Sequence, residues 1–260
     1  MYDNLIDWIK AHAKKRGLEQ LAFDFTNNDI NEALVGLLCW KTRLPTVAVI
    51  YENQDHNHEL CTQLNIKPVE IYEKFDLGFK ADIPAHFVDT LPEFNNNEIK
   101  NLKNNVINSI LNSLSNSLIV GSIDENSYKI IRNYSKLEAA DILPLASFNV
   151  IKVGELFKYA SEELSSISKD AKRILNIFYD KRKKETNTIE INNLNITYEE
   201  LIWLSGLDLK TLLISGEHDP AKYPSWFAFT IRQKEIIAKA YQIEKQTRYK
   251  YNANIPVFPL

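Results

Sequence analysis

Glycine is scarce in this chain, at 7 residues in 260, against the roughly 7% usual in globular proteins. Backbone cradles for phosphate are built mostly from glycine, so few places in this sequence can form one. Cysteine is nearly absent too. The two present, Cys39 and Cys61, lie in apolar helical contexts, which excludes a disulfide framework or a cysteine zinc cluster and fits a reducing compartment. No apolar stretch approaches the roughly 18 residues of a spanning helix. Met1–Lys10 reads as an amphipathic helix, unlike a charged leader with an apolar run behind it, so a cytoplasmic address and no membrane partner are expected. An excess of positive charge is also lacking. With 31 basic and 34 acidic residues and a net charge of −3, no global field exists to draw nucleic acid.

What is present suits a folded α/β protein. At 45% hydrophobic and 25% charged, the chain is long enough to bury a core and short enough for one domain over residues 1–260. Leu5, Ile6, Ile9 and Ala13 share a helical face, with Lys14, Lys15 and Arg16 in the last turn and Gly17 as the stop. Leu21–Phe25 is β-prone and Ile30–Trp40 is helical by periodicity, which makes Thr26–Asp29 a strand-to-helix turn. Pro45–Tyr51 is a near-continuous apolar run of the kind buried in a parallel sheet; a helix through Leu60 and Leu64 and a strand at Pro68–Tyr72 follow it. In the Asn-rich stretch from Asn95 to Asn116, Ile99, Leu102, Val106, Ile110 and Leu114 mark one face of a helix. Ser117–Gly121 is the next buried strand. Such alternation predicts right-handed crossovers and a doubly wound, mostly parallel sheet with helices on both faces.

From about residue 145 the chain turns helix-rich, with helices expected at Val150–Glu163, Lys169–Lys184, Tyr198–Ser205 and Ile231–Thr247. Thr186–Asn195 reads as a polar connection and Asn252–Leu260 as an extended tail.

In a doubly wound sheet, ligands bind outside the carboxyl ends of the strands. Here that places Phe25–Asn31 at the site, with Val120–Ser127 and the Ala140-Asp141-Ile142-Leu143-Pro144-Leu145 motif leading to Val153-Gly154-Glu155-Leu156. Together with Leu5–Ile9 and Ile196–Leu201, these segments resemble the ATP-dependent NAD synthetase family, of the N-type ATP pyrophosphatase fold, over nearly the whole chain. The resemblance implies an enzyme that uses ATP and Mg²⁺ to adenylate nicotinic acid adenine dinucleotide, lets ammonia displace AMP, and works as a homodimer.

The family's first turn reads S-G-G-x-D-S, and Thr26, Asn27, Asn28, Asp29, Ile30 and Asn31 stand there. Its G-T-x-x-x-x-E, ending in a metal-binding glutamate, reads Gly121, Ser122 and, at the glutamate's place, Ser127. The lysine expected after the A-D-x-x-P-L motif is Val150, with Lys152 nearby; an aspartate just before it falls at Leu137 or Glu138. The family's two helix arginines match Leu102 and Asn104, and its closing H-K-R reads Tyr249-Lys250-Tyr251. By motif position, Thr26, Asn27, Asn28, Asn31 and Ser122 are the nucleotide-binding candidates; Asp124, Glu125, Glu138 and Lys152 are the groups able to compensate for lost metal and phosphate ligands.

Asparagine tolerates the left-handed region, so Asn27 and Asn28 keep the option of a turn, but their carboxamides crowd the volume a phosphate needs. Asp29 and Glu32 have the spacing of a capping box, which sets a fixed anion at the helix start. Two readings stand: a homologue without ordinary catalysis that keeps a structural, regulatory or adenine-nucleotide-binding role, and an active ligase with displaced ligands. A third, an RNA-modifying relative, wants a basic face and a cysteine motif that are not visible.

Other clusters have plainer readings. His56 and His58 point about 200° apart on a helix, so Asp55–Glu59 is expected to be a solvated helix start and no metal site is assigned. His218 sits in a polar turn before Pro220. Tyr223, Trp226 and Phe227, near Phe229, suit a core or an interface, and Cys39 and Cys61 suit packing.

Overall fold

The computed structural model describes residues 1–27, 29–71, 96–125, 139–184, 188–191, 194–197, 199–200, 203–204, 229–247 and 255–259. In chain order the described elements are α1 (Tyr2–Arg16), β1 (Gln20–Asp24), α2 (Ile30–Thr42), β2 (Thr46–Tyr51), α3 (Asp55–Gln63), β3 (Lys67–Ile71), α4 (Asn96–Ser113) and β4 (Ser117–Ile119). They continue with α5 (Val150–Ile167), α6 (Lys169–Lys184), β5 (Thr188–Ile191), β6 (Leu194–Thr197) and α7 (Ile231–Thr247). Gly17 ends α1 at φ 67°, donating to the carbonyls near the helix end, as its place after three basic residues predicts.

The main sheet runs β3-β2-β1-β4, all parallel, with Ala22 of β1 paired to Val47 on one side and to Ile119 on the other. Isolated parallel bridges, Val120 with Ile142 and Leu143 with Val257, carry the sheet outward past β4. The tail therefore serves as an edge segment, with Phe258 packed on Phe148 and Trp8.

Side chains alternate across the strands, and the two layers follow from that period of two. Leu21 and Phe23 join the cluster that holds α1, α2, α3, α5 and α6. Ala22, Val47 and Val49 join the opposite cluster, with Ile107 and Leu111 of α4. The doubly wound sheet with helices on both faces is thus the architecture of the chain.

Two sequence expectations differ from the structure, and a third lies mostly outside the described residues. Thr186–Asn195 is not merely a polar connection, because β5 and β6 form an antiparallel hairpin pairing Ile189 with Ile196. The period-two run Thr188-Ile189-Glu190-Ile191 carried that signal. The apolar face of α4 is turned: Ile107 and Leu111 are buried, Ile110 and Leu114 only flank them, and Asn108 is buried at 8% exposure. Finally, most of Tyr198–Ser205 lies outside the described residues, as do Tyr72 and the side chains of Ile99 and Leu102.

Two motif residues that resemble site residues are explained by packing. Asp141 accepts from the Ile119 amide at 2.9 Å and pairs with Arg16, which ties the end of α1 to β4. Gly121 donates to the Ile142 carbonyl at 2.9 Å. A Cβ there would lie 2.5 Å from Leu143 Cδ2 and 3.0 Å from Ala140 Cβ. Gly154, inside α5, has nothing within 4 Å of such a Cβ. We expect Gly121→Ala to cost about 1–3 kcal/mol by overpacking and Gly154→Ala to gain about 0.5–1 kcal/mol from helix propensity. Urea unfolding of the two variants beside the parent measures both signs.

Candidate functional site

The chain leaves β1 toward β2 and β3 on one side and returns to β4 on the other, so the strand order reverses between β1 and β4. A crevice opens outside the carboxyl ends of strands at such a reversal. Its two walls are the turn from Phe25 to Asp29 and the segment from Val120 to Glu125. Phe25 anchors the first wall: it is 1% exposed and stacks on Phe178 of α6 with centroids 5.8 Å apart. Full burial of such a ring stabilises by about 1.5–3 kcal/mol.

Polar side chains fill the turn that follows. Asp24 Oδ1 accepts from the Thr26 amide at 3.0 Å and from Thr26 Oγ1 at 2.6 Å. Asp29, extended at φ −112° and ψ 164°, caps α2 by accepting from the Glu32 amide at 2.8 Å. The two oxygens of Glu32 take the Asn27 amide at 2.8 Å and Asn27 Nδ2 at 2.5 Å. Glu32 is 0% exposed. The anion bonded to Asn27 is therefore Glu32, and Asp29 has the capping role.

Asn27 is also absent from the residues with positive φ, which among the described non-glycine residues are Arg43 and Asn65. Its contribution is a side-chain donor in place of left-handed backbone. Asn28 lies outside the described residues.

Beneath the turn, the start of α3 satisfies its carbonyls. Asn57 Nδ2 donates to Phe25 O at 2.5 Å and to Gln54 Oε1 at 2.9 Å, while Gln54 Nε2 donates to Thr26 O at 2.5 Å. Asn57 is 0% exposed, so Asp55–Glu59 is not simply a solvated helix start. Pleat and register explain it: β2 pairs with β1, and the helix after β2 begins under the turn after β1. His58 Nδ1 stands 3.8 Å from Glu70, and the described residues hold no cluster of three metal-ligating side chains.

Across the crevice, Asn31 Nδ2 donates to Asp124 Oδ2 at 3.0 Å. Thr26, Ser122 and Asp124 are each 6% exposed. Asn31 and Asp124 are thus brought together, while Thr26 and Asn27 lie on the β1 side and Ser122 on the β4 side. Glu125 adjoins them and donates its amide to Phe148 O at 2.9 Å, tying this wall to the segment before α5. Lys152 is engaged elsewhere: its amide bonds the capping Asn149 at 2.9 Å and its Nζ pairs with Glu155 at 2.7 Å. Glu138, Ser127, His218, the Tyr223–Phe227 cluster and Tyr249–Tyr251 lie outside the described residues.

The residues missed in the sequence are Gln54 and Asn57, while Glu32 reads there as a capping-box partner of Asp29 and bonds Asn27. Cys39 and Cys61 are buried, and burial raises both thiols, Cys61 to about 12.

No family model and no curated protein sequence matches the chain. Solved structures do match. An NMN synthetase from Francisella tularensis aligns at TM-score 0.60 and 19% identity over 95% of this chain and 94% of that one. An NH3-dependent NAD synthetase from Campylobacter jejuni, in complex with nitrate, aligns at TM-score 0.63 and 18% identity over 97% and 95%. An NAD+ synthetase from Burkholderia pseudomallei aligns at TM-score 0.53 and 14% identity over 96% and 88%. The chain has the NAD synthetase fold, as its motifs predicted, and at these identities the likeness speaks for fold alone.

Two outcomes are expected from this geometry. Asn57→Ala leaves the buried Phe25 carbonyl without its donor and lowers stability by about 1–3 kcal/mol, read from urea midpoints. Iodoacetamide at mildly alkaline pH leaves Cys39 and Cys61 unmodified in the folded protein and modifies both in urea, as intact-mass spectra will report.

Proposed function

We propose that this protein is a NAD synthetase-like homologue that no longer carries out ordinary ATP-dependent amide formation and acts in a structural, regulatory or ligand-binding role. The observation that carries the reading is the Glu32 carboxylate bonded to the Asn27 amide and carboxamide at 2.8 and 2.5 Å. A nucleotide loop offers free main-chain N–H groups to phosphate oxygens. In this turn the Asn27 donors are committed to an internal anion. A second full charge about 4 Å away repels it by roughly 4 kcal/mol at an effective dielectric near 20, as much as millimolar binding supplies.

ATP therefore does not fit the β1–α2 turn. Mg²⁺ ordinarily takes one or two carboxylates together with substrate phosphates, so its binding here goes with that of the triphosphate. The Asp124 carboxylate accepts from Asn31, and Lys152 forms an exposed pair with Glu155. A homodimer and a cytoplasmic setting go with the proposed reading, the latter in keeping with described helices that are all too short or too polar to cross a membrane.

The competing reading is an active ligase converting nicotinic acid adenine dinucleotide to NAD with ammonia. The feature in its favour is the adjacent pair Asp124 and Glu125 on the β4 wall, carboxylates in the part of the crevice where a metal would be useful. Calorimetry with Mg-ATP separates the two. No heat at millimolar ligand is expected; binding tighter than about 100 μM, roughly 5.5 kcal/mol, rejects our reading in favour of the ligase.

A further inference from the structure

We infer that the first turn of α2 is a built-in lock that holds both walls of the crevice in an anion-loaded shape with no ligand present, Glu32 standing in for a phosphate. The inference rests on the proposed function in one respect, that the β1–α2 turn is the counterpart of a nucleotide loop.

Three features carry it. Both Glu32 oxygens accept, one from a main-chain N–H and one from a side-chain N–H of the same residue, which is the two-point contact a phosphate makes with a loop. The carboxylate sits in the first turn of α2 at 0% exposure, where the positive end of the helix favours an anion and water does not screen it. An ordinary capping box would direct Glu32 to the Asp29 amide; contact two residues farther upstream serves the turn more than the helix. The neighbouring Asn31 then reaches Asp124 on the opposite wall at 3.0 Å. Consecutive residues of one helical turn thus hold the two sides, Glu32 the β1 side and Asn31 the β4 side.

Such a lock replaces a ligand-dependent conformational change by a fixed one. In a loop that waits for phosphate, the bound anion orders the turn. Here the ordering anion is a side chain of the chain itself, hydrogen-bonded to Asn27, so the turn needs no free anion to order it. The consequence for regulation is that this crevice presents one surface at all nucleotide concentrations.

The test is amide hydrogen exchange and nitrogen-proton NMR of Asn27 in the parent, Glu32→Ala and Glu32→Gln, with and without millimolar inorganic phosphate. In the parent, the Asn27 amide should exchange slowly and be indifferent to phosphate. In Glu32→Ala it should exchange roughly tenfold faster or more, and phosphate should restore protection and shift the resonance. An Asn27 amide that stays protected in Glu32→Ala, or one that phosphate leaves untouched, overturns the inference. Should Glu32→Ala fail to fold, Glu32→Gln keeps the volume and removes the charge; faster Asn27 exchange in it supports the lock, and unchanged exchange overturns it. Failure of the functional reading looks different, since it appears as Mg-ATP binding to the parent protein.

Discussion

A carboxylate with no exposure to water needs donors, and Glu32 finds two on Asn27. Removing an ion from water costs several kcal/mol even after relaxation, so a buried charge is tolerable only where hydrogen bonds and favourable fields replace the lost hydration. The start of α2 supplies both. Asp29 caps the helix and frees Glu32 from that duty, and the unpaired N–H groups at a helix start give the local potential the right sign. Both Glu32 oxygens act as acceptors, the pattern of an ionised carboxylate. The shape of the β1–α2 turn depends on this contact, and so does every statement about what the turn can bind.

The fold explains why that small contact has such reach. A doubly wound sheet brings its functional turn to the place where the strand order reverses, and β1 lies next to the reversal with β2 and β4 as neighbours. Asn57 from the start of α3 supports the turn from the β2 side, while Asn31 crosses to the β4 side. Gly121, in the motif that follows β4, is favoured because a Cβ there would crowd Leu143 and Ala140. Sheet packing thus accounts for this glycine without a ligand.

The architecture was largely legible in the sequence. Apolar runs at Thr46–Tyr51 and Ser117–Ile119 and the helical periods of α1, α2, α5, α6 and α7 locate the elements closely, because burial on one or both faces imposes a period that residue types display. Strand-end spacing put Asn31 and Asp124 at the ends of neighbouring strands, where the structure joins them. What the sequence could not display is which partner each polar group chooses. Asp29 and Glu32 fit a capping box by spacing, yet Glu32 bonds Asn27, because the buried turn offered two donors in place of the one at Asp29. Asn57 reads as part of a polar helix start, and only the pairing of β2 with β1 carries it beneath Phe25. The hairpin β5–β6 was missed because its strands are short and polar on one side.

The polar side chains at the β1–α2 turn are matched to one another. Unmatched polar groups in a buried place each cost about 1–3 kcal/mol. In this chain they pair off, Asn27 with Glu32, Thr26 with Asp24, Asn31 with Asp124 and Asn57 with Phe25. Asn57 Oδ1 is the exception within the set, a buried oxygen with no hydrogen-bond partner. A complementary set of this kind keeps the turn ordered at little cost to the fold.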